Sequence, residues 1–308
     1  MRVVIIGLGS IAKKHIAALR GIDPKTEIYA LRSGLSKHEE PGVSSFYELD
    51  QVGKIDPDFI LLSNPTSKRE EVLKELVGFG KPLFIEKPAL SSLNSANLLQ
   101  AAFIKSELLT YVACNLRFHA CLVFMKGYLS TEQPQINEVN IYCGSYLPGW
   151  RPGQDFRKTY SALPDLGGGV HLDLIHEVDY AYWLFGAPAR SNSLLRSASS
   201  LDVASVDYAN YQLIHPRFTI NAVLNYYRRD YKRTLEVVTD EETINVDIAA
   251  NTVTSSVQGV LFSSETTILD TYPEQMKYFV SLLKDRTLSN MNSFSEGVEV
   301  LKIILDET

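Results

Sequence analysis

A glycine-rich turn near the N-terminus is the first feature of this sequence that could do chemistry. Gly7, Gly9 and Ala12 form a G-x-G-x-x-A pattern directly after the apolar run at residues 3–6. In such a pattern the first glycine allows a tight turn, the second lets the backbone approach a pyrophosphate, and the small third residue allows close helix packing. The free N–H groups of the following helix favour phosphate. The pattern predicts a dinucleotide-binding loop.

The residues after the second predicted strand indicate which dinucleotide binds. NAD sites usually carry Asp or Glu there, where the carboxylate binds the ribose hydroxyls. This chain has Arg32 and Ser33 instead, and a guanidinium and a hydroxyl can both hold a ribose 2′-phosphate. We therefore expect NADP(H) to be preferred, with NAD(H) possible; the alternative is that Arg32 is a solvated surface residue.

A lysine is placed where a substrate would bind. The triplet Glu86-Lys87-Pro88 follows an apolar strand pattern, and ligands of open parallel sheets bind beyond the carboxyl ends of the strands. There Lys87 can hydrogen-bond a substrate hydroxyl or carbonyl. In isolation such a triplet is more often a solvated turn.

An acid and a histidine lie on one predicted helix at residues 170–185, after three glycines at 167–169. Asp173 and His176 are three residues apart and would share a helical face. A carboxylate beside an imidazole orients it and raises its basicity, as a general base requires. A metal site of His171, Asp173 and His176 is the weaker alternative, because His171 and Asp173 would point to different faces; we expect no metal.

The hydropathy pattern supplies the elements that position these residues. Continuous apolar runs alternate with helical patterns through the first third of the chain, which is typical of parallel strands covered by helices on both faces. The runs lie at residues 3–6, 28–31, 59–62, 82–85 and 109–113. They predict an α/β Rossmann domain, a doubly wound parallel sheet, at residues 1–118.

The pattern changes beyond residue 118, where short polar turns join segments that read as strands. Such connections are typical of hairpins. They predict an α+β domain with a large, mostly antiparallel sheet at residues 119–308, which would bind substrate and form oligomers. Helical patterns at 273–283 and 294–305 close the chain, and the last helix could pack back on the first domain.

Composition and charge exclude several classes of protein. The 308 residues include 30 Lys and Arg against 36 Asp and Glu, a net charge of −6, and without a basic cluster this argues against a nucleic-acid binder. No apolar run approaches the ~18 residues of a membrane helix, and the start lacks a signal-peptide pattern. Cys114, Cys121 and Cys143 show no paired spacing. We therefore expect a cytoplasmic protein without membrane or nucleic-acid partners.

Together these motifs resemble the Gfo/Idh/MocA family of NAD(P)-dependent sugar dehydrogenases, over nearly the whole chain and in the family's order. Further matches are Ser63-Asn64-Pro65-Thr66, residues 114–119, and the helix segment with Asp179 and Trp183. The resemblance implies cofactor binding by Gly7, Gly9, Ser10, Ile11, Ala12, Arg32, Ser33, Asn64, Pro65, Glu86, Lys87 and Asn115. It also implies a Lys87–Pro88 peptide bond that is often cis.

The resemblance further implies a catalytic role for three residues. His176 would take the proton from a sugar hydroxyl, Lys87 would assist that transfer and position the oxygen, and Asp173 would orient and tune the pair, while the hydride passes to the nicotinamide. Two positions depart from the family. Only Leu174 and Ile175 separate Asp173 from His176, where three residues are commoner, so the role of Asp173 stays open. Arg69 takes the place of the family's usual histidine.

Residues 145–160 indicate the substrate, because this stretch is dense in aromatic and cationic residues. Aromatic faces stack on sugars, and guanidinium groups bind carboxylate or phosphate. The stretch is similar to a family branch associated with acidic or nucleotide-linked sugars; the alternative is an ordered surface loop packed by Trp150. The candidate substrate-binding residues are Arg117, Trp150, Arg151, Arg157, Tyr160 and His176.

The expected function is therefore hydride transfer between a nicotinamide and a hydroxyl or keto carbon of a sugar or sugar derivative. Two alternatives on the same fold are a non-catalytic NAD(P)-binding regulator and a glycoside hydrolase that uses NAD transiently. The family resemblance also implies a homodimer or homotetramer formed through the C-terminal sheet.

Overall fold

The computed structural model describes residues 1–34 and 39–306, and the chain forms two compact units. The first comprises Met1–Asn115 and Asp270–Glu299, and the second comprises Leu116–Leu269 and Val300–Thr308. Asp270–Glu299 thus belong to the first unit, although they follow most of the second unit in the chain.

The first unit is built on a six-stranded parallel sheet. Its strands are β1 (Arg2–Ile6), β2 (Glu27–Leu31), β3 (Val43–Phe46), β4 (Phe59–Leu62), β5 (Leu83–Glu86) and β6 (Thr110–Ala113). They lie in the order β3-β2-β1-β4-β5-β6, and Ile5 in the centre pairs with Ala30 of β2 and Leu61 of β4. Strands β4, β5 and β6 are buried along their whole length, as continuous apolar runs require. The predicted doubly wound α/β sheet is confirmed.

The α-helices follow the chain in both units. Those of the described residues are α1 (Ser10–Ile22), α2 (Gln51–Ile55), α3 (Arg69–Leu76), α4 (Ala96–Lys105), α5 (Ala120–Glu132), α6 (Val170–Asp173), α7 (His176–Phe185), α8 (Thr271–Lys284) and α9 (Phe294–Leu305). Within the described residues no helix is both long and apolar enough to cross a membrane.

The C-terminal part of the chain returns to the first unit because its side chains complete that unit's core. Phe279 of α8 packs edge-on against Phe59 and Phe84, with ring centroids 5.0 and 5.2 Å apart. Beyond α8, the backbone N–H of Val112 donates to the carbonyl of Asn292 at 2.8 Å, and the Asn292 amide donates back to the Val112 carbonyl at 3.0 Å. These bonds extend the hydrogen bonding of β6.

The second unit carries an eight-stranded sheet. Its strands are β7 (Ile136–Tyr146), β8 (Arg190–Arg196), β9 (Tyr208–Ile214), β10 (Thr219–Asn225), β11 (Tyr227–Thr239), β12 (Thr243–Asp247), β13 (Thr252–Ser255) and β14 (Gly259–Ser263). Their order is β14-β13-β12-β11-β7-β10-β9-β8. Strands β7 and β10 pair in parallel, while the other neighbours in this order are antiparallel. The predicted mostly antiparallel sheet is confirmed.

The predicted single helix at residues 170–185 is wrong in one respect, because it breaks after Asp173. Helix α6 ends there, and α7 begins at His176. Residues 170–172 and the two connecting residues, Leu174 and Ile175, are all buried. A straight helix buries one stripe of side chains, so the break allows this whole run to be covered.

Candidate functional site

The glycine turn between β1 and α1 has the geometry of a dinucleotide-binding loop. Gly7 has φ +87°, and a Cβ there would lie 2.8 Å from the backbone of Asn64, so this position requires glycine. Gly9 is the N-cap of α1 and has nothing within 4 Å of its Cβ position, and Ala12, in the first turn of α1, is fully buried. The first turn of α1 contains no acidic residue. The loop therefore leaves open space at the N-terminus of a helix, which fits a pyrophosphate.

Arg32 and Ser33 follow directly after β2, at the same carboxyl edge of the sheet as the glycine turn. Arg32 is half-buried, and its Nη1 donates to Ser45 Oγ at 3.4 Å. Its backbone N–H donates to the carbonyl of Phe46 at the end of β3. The strand end thus offers a guanidinium and an exposed hydroxyl, both donors.

The ends of β4 and β5 bring Asn64, Pro65 and Lys87 to this edge, because β1, β4 and β5 are neighbours in the sheet. The buried Oδ1 of Asn64 has no hydrogen-bond partner among the described residues, which fits a polar group bound at this point. The Lys87–Pro88 peptide bond is cis, as the family resemblance implies.

Glu86 has a structural task that the sequence did not reveal. Its carboxylate is buried and accepts a hydrogen bond from His15 Nε2 of α1, and His15 itself is fully buried. The His15 ring packs edge-on against Phe84 of β5. This pair joins the helix that follows the glycine turn to the strand that ends at Glu86, next to Lys87.

Arg69 joins the ends of β4 and β5. Its Nη1 donates to the carbonyl of Glu86 at 2.5 Å and to the carbonyl of Pro88, while Nη2 donates to the carbonyl of Asn64 at 2.8 Å. The sequence marked Arg69 only as a departure from the family. Asn115, predicted to bind cofactor, is buried, and its amide donates to Thr271 Oγ1 at 2.6 Å.

In the second unit, a tyrosine from a distant part of the chain binds Asp173. Asp173 Oδ2 accepts from the hydroxyl of Tyr226 at 2.5 Å, and Tyr226 is fully buried. Burial, followed by the negative charge of Asp173, raises the pKa of the Tyr226 phenol well above its usual value. The phenol therefore remains a donor at physiological pH. His176 begins α7 and is half-buried.

Two buried ion pairs brace α7. Arg117 donates to Asp179 through Nε at 2.9 Å and Nη2 at 2.8 Å, and Arg233 donates to Glu177 at 2.6 and 3.1 Å. The side chain of Arg117 is 0% exposed. Arg117 was predicted to bind substrate, but the structure places its guanidinium in a bidentate pair inside the second unit, where it supports the helix that carries His176.

The aromatic and cationic stretch before α6 divides into packed and exposed residues. Trp150 is 40% exposed; its Nε1 donates to Ser145 Oγ at 3.1 Å, and its ring packs edge-on against Tyr226 at 5.4 Å. The Tyr160 hydroxyl donates to the carbonyl of Gly167 at 2.7 Å. Arg151 is exposed, and so is Arg157, which lies over the Phe156 ring at 4.5 Å. Trp150 therefore touches the tyrosine that holds Asp173, and both arginines face solvent.

The described part of the chain brings no three His, Cys, Asp or Glu side chains together as a metal site. The surroundings of His171 favour the neutral form of its imidazole. It is buried, and burial lowers its pKa to about 4, while the charge of Asp173 acts in the opposite direction.

A six-stranded parallel sheet in this order, with a glycine turn after β1 and open space at the N-terminus of α1, defines a dinucleotide-binding Rossmann domain. Residues 1–114 match the sequence model of the GFO_IDH_MocA oxidoreductase family, NAD-binding Rossmann fold. Through this match the first 114 residues are similar to the NAD-binding domain of the Gfo/Idh/MocA family.

Similar proteins include an uncharacterized oxidoreductase, YrbE, of Bacillus subtilis, 27% identical over 59% of this chain and 53% of YrbE. Inositol 2-dehydrogenase of Mycolicibacterium gilvum is 24% identical over 65% of this chain and 56% of that protein. The chain thus spans little more than half the length of these curated relatives. A crystal structure of the WlbA dehydrogenase of Bordetella pertussis, in complex with NADH and UDP-GlcNAcA, superposes with a TM-score of 0.80 at 16% identity, covering 98% of this chain and 94% of that one; this likeness shows a shared fold.

Proposed function

We propose that this protein is an NADP(H)-preferring oxidoreductase that transfers a hydride between the nicotinamide and a hydroxyl or keto carbon of an anionic sugar derivative. One observation carries the proposal: the glycine turn, Asn64 and Lys87 lie at the carboxyl ends of neighbouring strands of one parallel sheet. Ligands of such sheets bind at this edge. The residue that follows β5, Lys87, is thus at the same edge of the sheet as the loop that suits a dinucleotide.

The cofactor would be held by the residues of this edge. The backbone at Gly9 and the first N–H groups of α1 would receive the pyrophosphate, and Asn64, with its unpaired Oδ1, would receive a polar group of the cofactor. When bound, the nicotinamide supplies the hydride acceptor or donor.

Lys87 and His176 would handle the proton of the reacting hydroxyl. In the oxidation direction His176 accepts this proton as a general base, and Lys87 donates a hydrogen bond to the oxygen. Asp173 would orient and tune this pair, and the Tyr226 hydroxyl donates a hydrogen bond to the Asp173 carboxylate. Glu177 and Asp179, each paired to an arginine, fix the helix that carries His176.

Two exposed arginines would select the substrate. Arg151 and Arg157 face solvent in the stretch that leads to α6, where they could bind a carboxylate or phosphate bidentately. Trp150 offers a partly exposed ring for stacking on a sugar. Arg32 and Ser33 would likewise favour a 2′-phosphate on the cofactor, so NADPH should bind more tightly than NADH.

We also propose that the protein is cytoplasmic and forms a homodimer or homotetramer through the eight-stranded sheet. Buried free thiols at all three cysteines support a reducing compartment. Light scattering coupled to size exclusion would measure the assembly, and a monomer at micromolar concentration would contradict it.

The test is a spectrophotometric assay of NADPH and NADH turnover at 340 nm. Its substrates are UDP-GlcNAcA, glucose 6-phosphate, glucose and inositol, with the matching keto sugars in reverse. We expect net cofactor turnover with an anionic sugar, a loss of at least 100-fold in kcat for Lys87→Met and His176→Asn, and tighter fluorescence titration by NADPH than by NADH. Cofactor binding without any net turnover would favour a regulator, and glycoside cleavage without net turnover would favour a hydrolase.

A further inference from the structure

Arg69 is a buried cation at the carboxyl edge of the parallel sheet. It is the first residue of α3, and only 3% of it is exposed. Three backbone carbonyls accept its hydrogen bonds: those of Glu86, at 2.5 Å, and Pro88 on one guanidinium nitrogen, and that of Asn64, at 2.8 Å, on the other. One side chain thus holds the ends of two neighbouring strands.

The pattern of acceptors is informative because two of them flank the Lys87–Pro88 pair. The carbonyl of Glu86 belongs to the peptide group before Lys87, and the carbonyl of Pro88 belongs to the peptide group after Pro88, so one nitrogen of Arg69 holds the backbone on both sides of the Lys87–Pro88 pair. Holding the backbone on both sides of this pair restricts the direction in which the Lys87 side chain leaves the chain. The planar fork of arginine permits this together with the bond to Asn64, whereas a lysine ammonium concentrates its donors at one point.

Desolvation gives the arrangement its rigidity. A buried guanidinium is costly unless its N–H groups are bonded, so any movement of the Lys87 backbone away from Arg69 would leave both a charge and carbonyls poorly satisfied. The bonds are also local to the first unit, since Arg69, Asn64, Glu86 and Pro88 all belong to it.

We propose that Arg69 is a positioning residue for Lys87, which holds the lysine amine in the orientation needed to bond the reacting oxygen. This inference rests on the proposed function of Lys87. Misplacing a catalytic group by about 1 Å can cost about 100-fold in rate, so disturbance of this clamp should lower kcat far more than it weakens binding.

A double-mutant cycle tests the coupling. The variants are Arg69→Lys, Lys87→Met and the combination, with Arg69→Gln, which also removes the charge, as a second variant in case Arg69→Lys does not fold. The matched control is Glu70→Gln, which alters the next residue of α3, whose carboxylate bonds Lys74 at 2.8 Å and Ser95. We expect Arg69→Lys to lower kcat about 10- to 100-fold with KM changed less than about threefold, and to have no further effect when Lys87 is already Met. Glu70→Gln should leave kcat unchanged.

Hydrogen–deuterium exchange of the cofactor-free protein gives a readout without activity. Arg69→Lys should accelerate exchange in peptides covering residues 83–92, while Glu70→Gln should not. Multiplicative losses in the double variant, or unchanged exchange at 83–92, would overturn the role of Arg69 while leaving the proposed function intact. Undiminished turnover by Lys87→Met alone would instead refute the proposed function.

Discussion

His171 should make the stability of this protein depend on pH. It is the second residue of α6 and is 8% exposed. Its ring lies against Gly169, where an added Cβ would approach Cε1 to 2.5 Å, and its buried Nδ1 has no hydrogen-bond partner in the described part of the chain. Such a position disfavours the imidazolium, and burial accordingly lowers the pKa of His171 from 6.5 to about 4.

The size and sign of the effect follow from these two pKa values. Between pH 6.5 and 4 the unfolded chain binds a proton at this site more readily than the folded chain, so the free energy of unfolding falls as the pH falls. The contribution is fully present above pH 6.5. Each pH unit is worth about 1.4 kcal/mol, which gives a loss of about 2 kcal/mol by pH 5 and about 3 kcal/mol once the pH is below both values.

Urea denaturation at several pH values between 7.5 and 5, on the wild-type chain and on His171→Phe, would measure this contribution. At pH 7.5 we expect the two proteins to differ by only about 1 kcal/mol, because the ring nitrogen has no bond to lose. Burial also lowers the pKa values of His119 and His215. Both residues are present in the wild type and in the variant, so their contributions to the pH dependence cancel in the comparison. His171→Gln serves as a second variant if the phenylalanine ring does not fit. Parallel pH curves for wild type and variants would refute the reasoning.

Three further sets of substitutions test other parts of the structure. Tyr226→Phe removes a hydrogen bond to a charged group, worth ~1.5–3 kcal/mol. It should lower kcat about 10- to 100-fold and leave the NADPH titration unchanged. A lower Tm with unchanged kcat would show that the bond serves folding only. Gly7→Ala should lower Tm and abolish NADPH binding, because its Cβ would meet the backbone of Asn64, whereas Gly9→Ala should keep Tm and weaken binding only; equal Tm losses would contradict this difference. Arg117→Met leaves Asp179 buried and unpaired and should cost ~3–5 kcal/mol in urea denaturation, most of which Arg117→Met combined with Asp179→Leu should restore.

The buried strands of the first unit could be predicted because their apolar runs are continuous. β1, β4, β5 and β6 agree with the predicted segments to within a residue or two. The pattern did not reveal β3, an edge strand whose two serines are exposed. Strand formation at an edge depends on the neighbour to which it bonds rather than on its own hydropathy. The same holds for β8 and β14, which are the edges of the second sheet.

The sequence could predict where the candidate site lies, but not which of its residues pair with one another. Glycine spacing and strand ends located Gly7, Gly9 and Lys87 because local backbone geometry dictates those residue types. The partners His15–Glu86 and Arg117–Asp179 are separated by 71 and 62 positions in the chain, and no local spacing encodes such pairs. A polar residue in a motif can therefore form a structural ion pair within the fold, as the buried guanidinium of Arg117 does with Asp179.

The shortened spacing between Asp173 and His176 has its explanation in the same kind of pairing. On one continuous helix a separation of three would place both side chains on one face, but the chain ends α6 at Asp173 and starts α7 at His176. Asp173 is instead fixed by the hydroxyl of Tyr226, 53 residues further along the chain. The tyrosine hydroxyl donates to this carboxylate, and Trp150 packs against the same ring. Tyr226 lies between β10 and β11 and donates to the Asp173 carboxylate, so the proposed action of Asp173 on His176 would rest on a residue outside both helices.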